Sequence, residues 1–108
     1  MPPSDSSSSA DYQVEHDPER SRYSASVDGK LAVAEYQRRG DVIAFTHTEV
    51  PPEIEGRGVA SALARRALDD ARAMGDRVVP RCAFFAQYME AHPEYRDLLA
   101  TNPARGSA

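Results

Sequence analysis

Three groups of residues in this chain have the types and spacing to do chemistry. The first is Gly56-Arg57-Gly58 followed by Val59-Ala60-Ser61, at the start of a run with helical periodicity. A helix start carries unpaired N–H groups and a partial positive charge, so it binds phosphate well. Small residues at 56, 58 and 60 let a pyrophosphate reach those amides, and Arg57 can add a direct charge. The second group is His47 and Glu49, two apart in the strand-like stretch DVIAFTHTEV. That spacing puts them on one face with Ile43 and Phe45. Either side chain can accept a proton or relay one through water; the other reading is a satisfied core histidine beside a surface glutamate. The third is Cys82, the single cysteine, placed after Pro80 near the first turn of a helix-like run. There the helix dipole favours a thiolate, whereas a lone cysteine elsewhere serves as a small buried hydrophobe.

Several phosphate motifs compete for the glycine pair. A P-loop needs Gly-Lys-Ser/Thr after its glycines, and the chain has none there. A dinucleotide fingerprint needs a third glycine directly after a strand, but Ser61 occupies that position and PPEIE separates strand from loop. A flexible loop that binds nothing is the remaining alternative for an isolated Gly-x-Gly.

The elements that must position these residues divide the chain in two. YQVEH reads as a short edge strand ending at Pro18. RYSASV alternates Tyr23, Ala25 and Val27 with serines, the period of a half-buried strand. Asp28-Gly29 is a two-residue hairpin signal, because both positions take positive φ. LAVAEYQ returns, Arg39-Gly40 turns again, and DVIAFTHTEV runs up to Pro51-Pro52. From Val59 to Met74 the period becomes helical, with Ala60, Leu63, Ala64, Ala67, Leu68, Ala71 and Met74 on one stripe. Gly75 suits the exit from that helix. RVVP is a short buried strand, and CAFFAQYMEAH is a second helix that ends before Pro93. The expectation is an α+β fold, with the layering of an α/β protein: a mixed, mostly antiparallel sheet of about five strands, with two main helices late in the chain.

One domain over 12–100 is expected between a serine-rich disordered tail at 1–11 and a loose tail at 101–108. The net charge of −4 argues against a nucleic-acid module. No apolar run approaches the ~20 residues of a membrane span, and the first residues lack a secretory signal. One cysteine cannot close an internal disulfide, so a cytoplasmic protein is the expectation.

Taken together, the strand ending at Val50-Pro51-Pro52, the loop Gly56-Arg57-Gly58-Val59-Ala60-Ser61 and the amphipathic helix after it resemble the acyl-CoA-binding motif of the GNAT (GCN5-related N-acetyltransferase) superfamily. Glu53 departs from that motif, which usually has glutamine or arginine there. THTEVPPEIEGRGVASAL with VVPRCAFFAQYMEAHPEYRDLL looks like the small, minimal YjdJ-type branch, over about Val42 to Leu99. The resemblance implies an acetyl-CoA-dependent N-acetyltransferase that uses no metal. Its phosphate cradle would be the amides of the 56–61 loop, with Val50 supplying the backbone oxyanion donor. Tyr88 would be the counterpart of a tyrosine that protonates the leaving thiolate. Cys82 would lie at the substrate end, as pocket lining or as an acetyl carrier, and His92 or Tyr95 would border the CoA. Because a hairpin joins Val27 to Leu31, the lid helices of larger relatives have no place. The acceptor side is expected to be open and to suit an amine displayed on another protein. The alternative is a non-catalytic module that binds CoA or acyl-CoA. Glu53 and Glu55 would disfavour an anionic ligand unless both point outward.

Overall fold

A computed structural model of the protein describes residues 12–100. The tails expected at 1–11 and 101–108 lie outside the described residues. Turn chemistry and period-2 burial build the first half as a meander. β1 (Val14–Asp17), β2 (Arg22–Val27), β3 (Lys30–Arg39) and β4 (Val42–Glu49) pair antiparallel in that order. Asp28 and Gly29 take φ of 51° and 75°, the left-handed pair a tight hairpin requires. Tyr23, Ala25 and Val27 are buried, while the serines between them are half-buried or exposed.

A 3-10 turn at Pro52–Ile54 leads from β4 into α1 (Val59–Met74), which returns to β5 (Arg77–Pro80). β5 adds parallel to β4 and completes a five-stranded sheet of order β1-β2-β3-β4-β5. α2 (Ala83–Ala91) and 3-10 turns at Pro93–Leu98 close the fold. Leu63, Ala64, Ala67 and Leu68 of α1 join Phe85 and Met89 of α2 in one core against Tyr23, Ala34, Tyr36, Ile43 and Phe45. Phe45 and Phe85 stack with centroids 4.2 Å apart. Both helices therefore cover one face of the sheet, and among the described residues the other face stays open. Met74, read from the sequence as part of the helix's apolar stripe, is 64% exposed at the last turn of α1; Ala62 is buried instead.

The closing segment is a structural corner. Tyr95 donates its hydroxyl to Asp69 on α1 at 2.7 Å, and the Ala100 N–H reaches Val78 O at 2.8 Å. Desolvation and the Asp69 carboxylate both push the Tyr95 phenol pKa up. Asp76, the one buried charged residue described, receives both ends of the Arg38 guanidinium at 2.9 Å and fixes the end of β3 to the α1–β5 link.

β4 departs from simple alternation. Tyr36 pairs with Phe45 and Glu35 with His47, so Thr46 is an extra residue on the β4 side, a β-bulge. One inserted residue exchanges the faces of everything beyond it. His47 and Glu49 therefore do not share a face with Ile43 and Phe45, as their spacing predicts. They lie on the open face, with side chains 54% and 71% exposed, and the core-histidine reading of His47 falls with that correction. Thr48 takes the helix-covered side.

Candidate functional site

The site begins where backbone geometry leaves donors unpaired. Gly56 and Gly58 have φ of +80° and +84°, left-handed values that disfavour any residue with a Cβ, and no atom lies within 4 Å of where a Cβ would be. Glycine here answers to the turn and leaves open space above it. Gly58 is the N-cap of α1, without a side-chain cap and with no acidic residue in the first turn. The first helical bond runs from the Ala62 N–H to Gly58 O at 3.0 Å. The N–H groups of Val59, Ala60 and Ser61 precede it and have no intrahelical acceptor.

These amides border a cleft of about 390 Å³. Gly56, Gly58, Val59, Ala60 and Ser61 form one wall, and Thr48 and Val50 at the end of β4 form another, with Ile54, Glu55 and Phe84 completing it. The cleft exists because β5 leaves β4 early. β5 pairs with β4 only from Val42 to Phe45. The Phe45 carbonyl then accepts two N–H groups, from Arg81 at 3.0 Å and Cys82 at 2.9 Å, as the chain turns into α2. The last four residues of β4, Thr46 to Glu49, continue without a β5 partner.

The structure brings Val50, Gly56, Gly58, Val59, Ala60 and Ser61 together on this cleft. Cys82, half-buried at the N-cap of α2, is linked to it: its Sγ lies 3.2 Å from the Thr48 hydroxyl. Arg57 does not line the cleft. Its guanidinium lies on Asp28 of the β2–β3 turn at 2.9 Å, which raises its pKa further, and its carbonyl accepts the Tyr12 hydroxyl at 2.6 Å. Glu53 faces Lys30 at 3.8 Å, whereas Glu55 is on the rim of the cleft. Tyr88 does not line it either. It stacks on His92 at 4.0 Å, and burial pushes its phenol pKa up. His92 is itself held through Nδ1 to Tyr88 O at 2.8 Å. His47 and Glu49 sit across the sheet from the cleft, with Nε2 and Oε1 3.4 Å apart.

Thr48, Ile54 and Phe84 escaped the sequence reading. Thr48 carried no local signal: alternation along β4 puts it on the open face, and only the register with β3 shows the bulge that turns it to the cleft. Phe84 stands in an Ala83-Phe84-Phe85 run that does not say which ring faces the core. Among the described residues no three His, Cys, Asp or Glu side chains are grouped to hold a metal ion. No described helix is long and apolar enough to cross a membrane.

Comparison with known proteins gives three concordant results. A family model described as GCN5-related N-acetyl-transferase matches residues 22–98. Protein NATD1 of Mus musculus is 33% identical over 95 residues, spanning 85% of this chain and 86% of that protein. Protein NATD1 of Homo sapiens is 32% identical over 84 residues, spanning 75% and 74%. The NMR solution structure of a GCN5-like protein from Staphylococcus aureus superposes with a TM-score of 0.66 at 22% identity, over 82% of this chain and 87% of that one. This last likeness is one of fold.

Proposed function

We propose, from the premise that the chain belongs to the GCN5-related N-acetyltransferase family, that it transfers an acetyl group from acetyl-CoA to an amine. The observation that carries this reading is the cleft itself. Unpaired N–H groups of Val59, Ala60 and Ser61 border open space over two glycines, which fits a pyrophosphate at the positive end of a 16-residue helix. The end of β4 next to it, free of β5, offers the Val50 N–H for an oxyanion. In the transfer the amine nitrogen attacks the thioester carbon and a C–N bond forms. The C–S bond breaks, and CoA leaves with the bonding pair. The amine loses a proton and the thiolate gains one.

His47 and Glu49, solvent-facing on the far side of the parting strands, are assigned to the amine's proton. The Thr48–Cys82 pair is assigned to the lining around the acetyl group. Arg57 secures the loop through Asp28 in this reading. Neither it nor Tyr88 is given a direct contact.

The test is incubation of the protein with acetyl-CoA and a panel of amines and lysine peptides, following CoA release. Release with at least one amine is expected, falling about 10²-fold in His47→Gln with Glu49→Gln, while the thermal shift caused by acetyl-CoA persists. The same facing of His47 and Glu49 away from the cleft also supports a second reading, a non-catalytic CoA-binding module. A retained thermal shift without release across the panel would select that module, and no thermal shift at all would remove both.

A further inference from the structure

The open face of the sheet carries a second concavity, of about 300 Å³, across β3, β4 and β5. Val42, Ala44 and Val79 form its apolar floor, with Gln37, Arg39 and Arg81 around it. Cross-strand register places these side chains together, with Gln37 opposite Ala44, Arg39 opposite Val42, and Ala44 beside Val79. Among the described residues no carboxylate lines this groove. The chain is acidic overall, and five of its other arginines lie on acids: Arg20 on Asp17, Arg38 on Asp76, Arg57 on Asp28, Arg66 on Asp70, Arg72 on Asp97. Among the described residues, Arg39 and Arg81 have no such partner. Arg77, the β5 neighbour of Val42 on the same face, keeps its Nε buried without a hydrogen-bond acceptor.

We infer that this groove binds the acidic flank of the acceptor, a peptide whose carboxylates meet Arg39 and Arg81 while its amine reaches His47 and Glu49. The inference rests on the acetyltransferase reading and names its substrate class. Unpaired guanidiniums are built to take carboxylates in a two-pronged geometry, and the floor accommodates the methylene stems of an acidic side chain. Position along β4 supports the pairing of groove and base. Val42 and Ala44 lie in the floor, and His47 and Glu49 follow on the same face after the bulge. Arg81 marks the point where β5 leaves β4. At about 3.3 Å per residue, Ala44 and His47 are on the order of 10 Å apart. That span matches carboxylates two or three residues from an acceptor lysine and exceeds the reach of a single free amino acid.

The experiment uses the whole chain and three probes: a labelled lysine peptide with glutamates two and three residues away, its glutamine isostere, and free glutamate. Binding is read by fluorescence anisotropy and by competition without acetyl-CoA, and kcat/KM by CoA release with it. The acidic peptide should bind about tenfold more tightly than the isostere, the gain two exposed charge pairs can give. The gain should shrink in high salt. It should vanish in Arg39→Gln with Arg81→Gln, whose acetyl-CoA thermal shift should not move. Equal binding of the acidic and glutamine peptides overturns the inference, as does an undiminished preference in the double variant. Free glutamate competing as well as the peptide overturns the peptide assignment. Acidic preference without CoA release from any amine leaves the groove standing and overturns acetyl transfer. CoA release with equal kcat/KM for acidic and neutral peptides does the reverse.

Discussion

The two faces of the sheet are built by opposite rules. On the covered face, Tyr36, Ile43 and Phe45 are 6% exposed or less and press against α1 and α2. On the other face the same two strands present Gln37, Arg39, Val42 and Ala44, with no described helix over them. The covered face supplies stability and holds the α1 start against the end of β4. The open face contributes little packing and is therefore free to carry charge, a groove and the His47–Glu49 pair. The difference teaches where substitution should be costly: cost should fall from the middle of the covered face toward its rim and nearly vanish across the sheet.

The largest effect expected is at the centre. Phe45→Ala removes a fully buried ring stacked on Phe85 and should lower stability by about 3–5 kcal/mol. Gln37→Ala, on the adjoining strand but the open face, should stay within about 0.5 kcal/mol. Urea unfolding of both variants checks the pair, and equal losses would break the comparison. At the cleft edge, Gly58→Ala forces a Cβ into a left-handed position and should cost about 1–2 kcal/mol. It should also reduce the acetyl-CoA thermal shift, because the new methyl enters the open space that Gly58 leaves at the cleft. A stability loss with an unchanged thermal shift would detach the loop from the ligand.

The smallest effect belongs to the rim, where His16 of β1 stacks on Tyr23 at 4.3 Å and meets the Tyr36 hydroxyl at 2.6 Å. Desolvation lowers its pKa below the ordinary 6.5, against the opposing pull of Asp70. As pH falls the unfolded chain therefore takes up this proton first. The contribution of His16 is complete above about pH 6.5 and is lost below it, until the folded imidazole itself protonates. Melting temperature followed across that window should drop more steeply in the wild type than in His16→Gln. Parallel curves would show that the rim does not sense this proton.

The elements of the fold were legible because their signals are local. Asp28-Gly29 demands a primed turn whatever surrounds it, and the apolar stripe from Val59 with Gly75 beyond it defines α1 at both ends. The glycine turn and free amides at the α1 start were legible for the same reason: they depend on backbone geometry within a few residues. The facing of His47 and Glu49 was not legible. Strict alternation along DVIAFTHTEV puts them with Phe45, and only the pairing of β4 with β3 reveals Thr46 as the inserted residue.

By itself, then, the sequence determined the strands, the helix and the glycine turn, since each follows from the conformational preferences of adjacent residues. The tertiary structure alone decided which face His47 and Glu49 occupy, that Arg57 lies on Asp28, that Tyr88 lies off the cleft, and that Arg39 and Arg81 share a groove. Each of these is a relation between segments distant in the chain, settled by strand register and by competition among packing partners, and no local preference encodes it.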